Sequence, residues 1–270
     1  MSKREIRNSS ATQSRPRHAW LYALPSGTLP QQVRCRGRVY RHVQTFKHDF
    51  FAATGLYRGD DGRLVVLKIG RTTDLAGLPF STIGRFLARR ESDMYQRVHD
   101  LPGVPRFVGR VGRFGLLHEF VPGHPLERKE EVSDAFFDEL RDTLAALHAR
   151  HIAYVDLNKR QNILMGDDGR PYLIDFQISL FAPPRGWRGL APLRWLLRVF
   201  QQADDYHYLK HKARLRPDLL TPEERRRAER KPFWVRWHTR LTRPLTLLRR
   251  KALKQIAKTE TVTVAGSSAK

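Results

Sequence analysis

The chain has 270 residues and is strongly basic, with 50 Lys/Arg against 27 Asp/Glu and a net charge of +23. A hydrophobic fraction of 40% with 10% aromatics excludes a disordered chain and supplies a substantial core, as one large domain or a two-lobed one. The single cysteine, Cys35, excludes an internal disulfide framework and fits a reducing compartment.

In chain order, residues 1–32 read as a flexible basic arm. Met1–His18 has basic residues but no apolar h-region, so it is not a secretory signal, and the cytoplasm is the expected location. Val39, Val43 and Phe46, then Phe50–Tyr57, follow a β-like pattern. The turn Gly59-Asp60-Asp61-Gly62 leads into the β-prone Arg63–Ile69, giving three consecutive antiparallel strands over 33–69. Cys35 lies between Arg34 and Arg36, which could lower its pKa, but a small strand residue is the simpler reading.

A helix is predicted over 81–99, with Ser81 as N-cap and Phe86, Leu87, Met94 and Val98 as its apolar positions. The segment 101–105 (LPGVP) breaks it, and two β-runs follow, Arg106–Val111 and Gly115–Phe120. A second helix, Ser133–Ala149, carries Phe136, Phe137, Leu140, Leu144 and Leu147 on one face. Next come two loops backed by short β-runs, holding Asp156, Asn162 and Asp175.

Beyond Phe181, Leu193, Leu196, Leu197, Phe200 and Ala203 mark a helix, and Thr221-Pro222 caps another. An aromatic, basic stretch (FWVRWHTRL, 233–241) precedes Pro244, and residues 251–270 read as a tail. No run of about 18 apolar residues marks a membrane helix.

The charge is uneven. Residues 19–180 hold 23 Lys/Arg and 19 Asp/Glu, whereas residues 181–270 hold 22 and 7. The C-terminal third would attract polyanions: nucleic acid, anionic head groups or a phosphorylated glycolipid. Trp234, Trp237, Arg236, Arg240 and Arg243 could rest on an anionic membrane at its cytoplasmic face. Equally, the aromatics could pack the core while the arginines stay in water.

An acid, an amide and a second acid on neighbouring loops suit phosphoryl transfer. One carboxylate can orient a hydroxyl, while the amide and the other carboxylate hold Mg²⁺ against ATP phosphates. Taken singly, Lys68 is an exposed strand charge and Glu91 a solvated helix carboxylate. Their order ahead of Asp156, Asn162 and Asp175 gives them weight.

From about residue 38 to 180 that order resembles the protein-kinase-like superfamily. The resemblance implies an α+β, two-lobed fold: an antiparallel β N-lobe with one main helix (33–121) and a mostly helical, reduced C-lobe (122–250). It implies that Lys68 touches the ATP phosphates and pairs with Glu91. The backbone of Glu119 and Val121 would meet the adenine edge between Val66 and Leu164. Asp156 would accept the proton of the acceptor hydroxyl, and Asn162 and Asp175 would bind Mg²⁺.

Several positions depart from the family pattern. Tyr154 and Val155 replace the His and Arg before the catalytic Asp. The interval from Asp156 to Asn162 is one residue longer than usual, so either a bulged loop keeps the geometry or Asp156 is misaimed. Asp-Phe-Gln (175–177) lacks the hinge glycine, which argues for a fixed motif. The segment 47–55 (KHDFFAATG) has one glycine, and its backbone N–H groups, with Lys47 or His48, would have to cover phosphate.

These features resemble the atypical branch containing RIO-type kinases and bacterial kinases of lipopolysaccharide core sugars (heptose and Kdo). The acceptor would be a glycolipid sugar or a protein Ser/Thr. The rival readings are a nucleotide-binding pseudokinase or scaffold, and a basic nucleic-acid-binding protein.

Overall fold

The computed structural model describes residues 22–74, 79–183 and 191–230. The chain divides at Asp204/Asp205 into two compact units.

In the first unit, β1 (Gln32–Cys35), β2 (Arg38–His48), β3 (Ala52–Gly59), β4 (Leu64–Gly70), β5 (Phe107–Val111) and β6 (Gly115–Glu119) form a six-stranded antiparallel sheet. Its strand order is β1-β2-β3-β4-β6-β5. The opening stretch therefore holds four strands rather than three. Arg36 and Gly37, both at positive φ, make the tight turn that pairs β1 with β2.

Strand alternation sorts the side chains. Val33, Cys35, Tyr40, Tyr57, Val65 and Leu67 enter one core, whereas Leu56–Val66 and Thr54–Lys68 pair on the opposite side. Val43 and Phe46 are exposed, contrary to the sequence pattern, because register shifts on either side of Gln44 break the alternation. Residues 22–30 do not belong to a free arm: Leu24 and Leu29 are buried in the same core. Residues 1–21 lie outside the described residues. Burial raises the Cys35 thiol pKa, outweighing Arg36.

Helix α1 (Phe80–Val98) starts at Phe80 after Pro79, so Ser81 is not its cap. The Ser81 N–H instead donates to Asp74 Oδ1 at 2.9 Å. Its buried stripe is Gly84, Ala88, Glu91, Tyr95 and Val98, while Phe86 is 60% exposed. Met94 and Val98 are buried as expected and Leu87 is half-buried; Phe86 alone of the four lies off the stripe, where a carboxylate and a phenol take core positions. At Gly84 a Cβ would come within 2.2 Å of the Arg71 carbonyl, so glycine lets α1 touch the end of β4.

The remainder of this unit contains β7 (Gly123–Pro125), α2 (Asp134–Ala149), β8 (Ile152–Ala153), β9 (Ile163–Gly166), β10 (Pro171–Leu173) and β11 (Leu180–Phe181). Strand β9 lies between β10 and β7, and β11 pairs with β8. Helix α2 buries the predicted Phe136, Phe137, Leu140, Leu144 and Leu147. Helix α3 (Ala191–Leu215) begins in this unit, and its Leu197 joins Ala153 and Ala182 in a small core.

The second unit is described over 205–230, through the end of α3 and α4 (Pro222–Glu229). Thr221 caps α4 as expected, in a reciprocal capping box with Glu224. The Glu224 carboxylate also reaches Lys212 Nζ at 3.1 Å. Trp234, Arg236, Trp237, Arg240, Arg243 and the tail lie outside the described residues. No helix among the described residues is long and apolar enough to cross a membrane.

Candidate active site

Lys68 leaves β4 on the side opposite the sheet's apolar core and meets two carboxylates from distant parts of the chain. Its Nζ lies 2.9 Å from Glu91 Oε1 and 2.8 Å from Asp175 Oδ1. Burial alone would depress the ammonium pKa, but Glu91 and Asp175 outweigh it and push the pKa up. Burial raises the Glu91 carboxyl to about 7 despite Lys68. Burial also opposes ionisation of Asp175, yet Lys68 and the Gln177 N–H hold its carboxyl below the ordinary range. Thus Lys68 stays charged between its two carboxylates, while burial keeps the Glu91 carboxyl above its ordinary range.

The loop after β8 brings a second cluster together. A turn closes from the Lys159 N–H to the Asp156 carbonyl (3.1 Å), and a single 3₁₀ turn, Arg160–Asn162, follows. The longer interval is absorbed there: Asn162 Nδ2 donates to Asp156 Oδ2 at 2.9 Å, and Lys159 Nζ reaches the same oxygen at 2.6 Å. With Nδ2 committed to Asp156, the Asn162 amide oxygen is its remaining ligand. Together with the Asp175 carboxylate it is a donor set suited to Mg²⁺, which takes few protein oxygens when phosphates complete its shell. Among the described residues, no larger His/Cys/Asp/Glu cluster could hold a metal.

Backbone strain is concentrated in this region. Val155 has φ 72° and Asp175 has φ 64°, conformations costing about 1–3 kcal/mol for residues with a Cβ. Asp204, fully buried on α3, holds the first of them: its two oxygens accept the Tyr154 N–H (2.7 Å) and the Val155 N–H (2.8 Å). His148 Nε2 lies 3.2 Å from the same carboxylate.

Tyr154 ties the second strained position. Its hydroxyl donates to the carbonyl of Ile174, the residue before Asp175, and at 3.3 Å to the carbonyl of Asn162 itself. Its ring starts an aromatic column through Phe176 (5.2 Å) to Tyr95 (5.1 Å), which stacks on His118 (5.2 Å). After Asp-Phe-Gln, Arg90 Nη2 donates to the Ser179 carbonyl at 2.5 Å and Arg97 covers the Phe181 ring at 4.0 Å, joining α1 to this segment.

The turn between β2 and β3 is closed by its own side chains. The Asp49 carboxylate accepts the N–H groups of Phe51 and Ala52, both at 2.9 Å, so these donors are already used. Lys47 pairs with Asp49 at 2.6 Å. His48 is held by the Leu24 N–H and the Gly27 carbonyl, and Arg71 donates to the Phe50 carbonyl. A glycine-poor turn here satisfies itself.

At the predicted adenine edge, the Glu119 N–H donates to the Arg106 carbonyl and its own carbonyl accepts His118 Nδ1, both at 2.8 Å. Burial drives His118 down to about 4, so its ring is neutral. Val66 lies on the Lys68 side of β4, Leu164 on β9 and Val121 just after β6. Phe46 stacks on Phe120 at 6.2 Å, an aromatic pair beside this edge. A cavity of about 880 Å³ among the described residues is lined by Leu101, Arg106, Glu119, Val121 and Tyr172. Neither Lys68, Asp156, Asn162 nor Asp175 borders it, so the acidic cluster and the cavity are separate features.

Comparison of the sequence with protein-family models and with curated proteins finds no match. Among solved structures the chain is similar to the Rio2 kinase–ADP/Mg²⁺-phosphoaspartate complex from Chaetomium thermophilum. The TM-score is 0.51 at 15% identity, covering 70% of this chain and 61% of that one. The fold is protein-kinase-like. This chain thus matches less than two thirds of the Rio2 chain, on an α+β frame with an antiparallel N-lobe sheet.

Within the kinase-like frame, sequence reading missed Asp204, Tyr95, His118 and Asp49. Asp204 had a signal: Leu193, Leu197 and Phe200 place it at the next position of an apolar helical stripe, where an acid is out of place.

Proposed function

We propose that this protein is an ATP- and Mg²⁺-dependent phosphotransferase acting on a hydroxyl acceptor. The reading is carried by one observation: Lys68 Nζ contacts both Glu91 and Asp175, residues 23 and 107 positions away. Such a bridge between strand, helix and loop has no use in solvating a surface.

Lys68 would orient the ATP phosphates, exchanging part of its contact with Asp175 for phosphate oxygen while Glu91 keeps it in place. Asn162 and Asp175 would hold Mg²⁺, which when bound neutralises phosphate charge. Asp156, steadied by Asn162 and Lys159, would align the acceptor hydroxyl and take its proton. The carbonyl of Glu119 and the N–H of Val121 would meet the adenine edge, between Val66 and Leu164.

The departures at Tyr154, Val155 and Gln177 favour an acceptor of the kind used by atypical kinases, a lipopolysaccharide-core sugar or a protein Ser/Thr. Peripheral contact with the cytoplasmic face of an anionic membrane through residues 181–270 would suit the glycolipid. The self-satisfied Asp49 turn favours a second reading, a nucleotide-binding pseudokinase, because it withholds two N–H donors from the phosphates.

The deciding experiment is ATP consumption by wild type and Asp156→Asn, with lipopolysaccharide-core and protein acceptors in parallel. Wild-type turnover abolished by Asp156→Asn supports the phosphotransferase. Wild-type silence with intact Mg·ATP binding supports the pseudokinase.

A further inference from the structure

The charge of the first unit is segregated. Residues 22–121 carry 16 Lys/Arg and 8 Asp/Glu, whereas residues 122–183 carry 7 and 11. The near-balance of this part of the sequence therefore combines a basic sheet lobe with an acidic helical one.

Within the sheet lobe, Arg41 on β2 and Arg58 on β3 stand directly opposite each other. Arg41 also faces Gln32 of β1, and Arg34 is two residues further along the same side of that strand. Arg36 follows in the turn, its Nε 3.4 Å from where a Cβ of Gly109 would stand. Beside it the Cys35 thiol meets the Arg110 carbonyl at 3.5 Å. Arg58, Arg41, Arg34, Arg36 and Arg110 thus make one arc from β3 across the sheet edge to β5, which β1 contacts.

All five are exposed. Among the described residues none of them pairs with a carboxylate; of the acids at this end of the sheet, Asp61 is taken by Arg38 and Arg63. Like charges directly opposed across two strands weaken a sheet, so stability does not explain Arg41 against Arg58. A bound polyanion would relieve that repulsion.

All five positions are arginine rather than lysine, the side chain whose planar fork matches phosphate oxygens. The arc also follows the curl of the sheet. A flat bilayer could touch only part of it, whereas a flexible phosphodiester chain could follow it throughout. We infer that this arc binds single-stranded nucleic acid through its phosphate backbone.

The test is binding of a labelled oligouridylate to the full chain across a salt series. Arg41→Ser/Arg58→Ser should weaken binding about tenfold and lower the slope of log K against log salt by about 1.4, since each single-strand phosphate contact contributes about 0.7. Arg128→Ser/Lys129→Ser removes equal charge from the acidic lobe and should change affinity less than about twofold. Arg41→Lys/Arg58→Lys should keep the salt slope and lose part of the affinity.

Equal losses in the two serine variants would reduce the effect to net charge and overturn the inference. So would dependence on Arg41 and Arg58 appearing with phosphatidylglycerol vesicles but not with the oligonucleotide. Both arginines are exposed, and their removal relieves repulsion, so the unfolding midpoint should hold or rise. A fall would mean that they serve the sheet, and the assignment would fail.

Discussion

The turn at Asp49 and the cluster at Lys68 differ in how their polar groups are satisfied. Asp49 closes on residues two and three positions away and on its neighbour Lys47. Lys68 is satisfied by Glu91 and Asp175, which only the folded chain brings near. The first is local and already complete; the second is assembled at the cost of strained backbone and buried charge. Function is expected where groups are held against their own preferences, because that is where a ligand can replace a contact.

The largest expected effect comes from taking a carboxylate out of the assembled cluster. Asp175→Ala should cut ATP turnover by a factor on the order of 10³ and weaken Mg·ATP binding, while Asp156→Asn should cut turnover similarly and spare binding. Calorimetric titration with Mg·ATP separates the two, and equal binding losses would mean that the roles are misassigned.

Next is the support behind the loop. Asp204→Ala leaves the buried Tyr154 and Val155 N–H groups without their acceptor, which should cost about 3 kcal/mol in chemical denaturation. Turnover should fall about 100-fold as Asp156 loses its fixed position. Unchanged stability would show that the strained loop holds itself.

A smaller effect is carried by pH. Glu91 has an ordinary value of 4.5 and is raised to about 7 by burial. Between those values the unfolded chain has released the proton and the folded one retains it, so this group lowers stability as pH rises through the window. Turnover should rise through the same window, because bracing Lys68 requires the carboxylate. In Glu91→Gln that limb should disappear from the kcat/KM profile; a limb that persists belongs to another group.

Smallest is the local turn. Asp49→Ala releases the Phe51 and Ala52 N–H groups, costing about 1 kcal/mol of stability. It should lower KM for ATP a few-fold with kcat unchanged. A higher KM would mean that the closed turn is itself the form that covers the phosphates.

Legibility followed the range of the interactions. The pairing of Lys68 with Glu91 followed from order and spacing, and Thr221 could be read from its local capping pattern. Ser81 was misread because a cap depends on where the chain arrives, and here Asp74 accepts its N–H. Phe86 was misread because Glu91 and Tyr95 occupy the buried stripe that hydrophobicity would assign to apolar side chains. The fourth strand was hidden in a run too short to show its own periodicity.

By itself the sequence determined the alternation that makes the sheet, the helical stripes of α2, and the chemical types Lys, Glu, Asp, Asn and Asp in the order of the kinase-like frame. Covalent order and side-chain polarity suffice for those. Only the tertiary structure decided that Lys68 bridges two acids, that Asp204 and Tyr154 hold the strained loops, and that five arginines share one arc. These depend on contacts between residues far apart in the chain, where burial and charge act through distance in space.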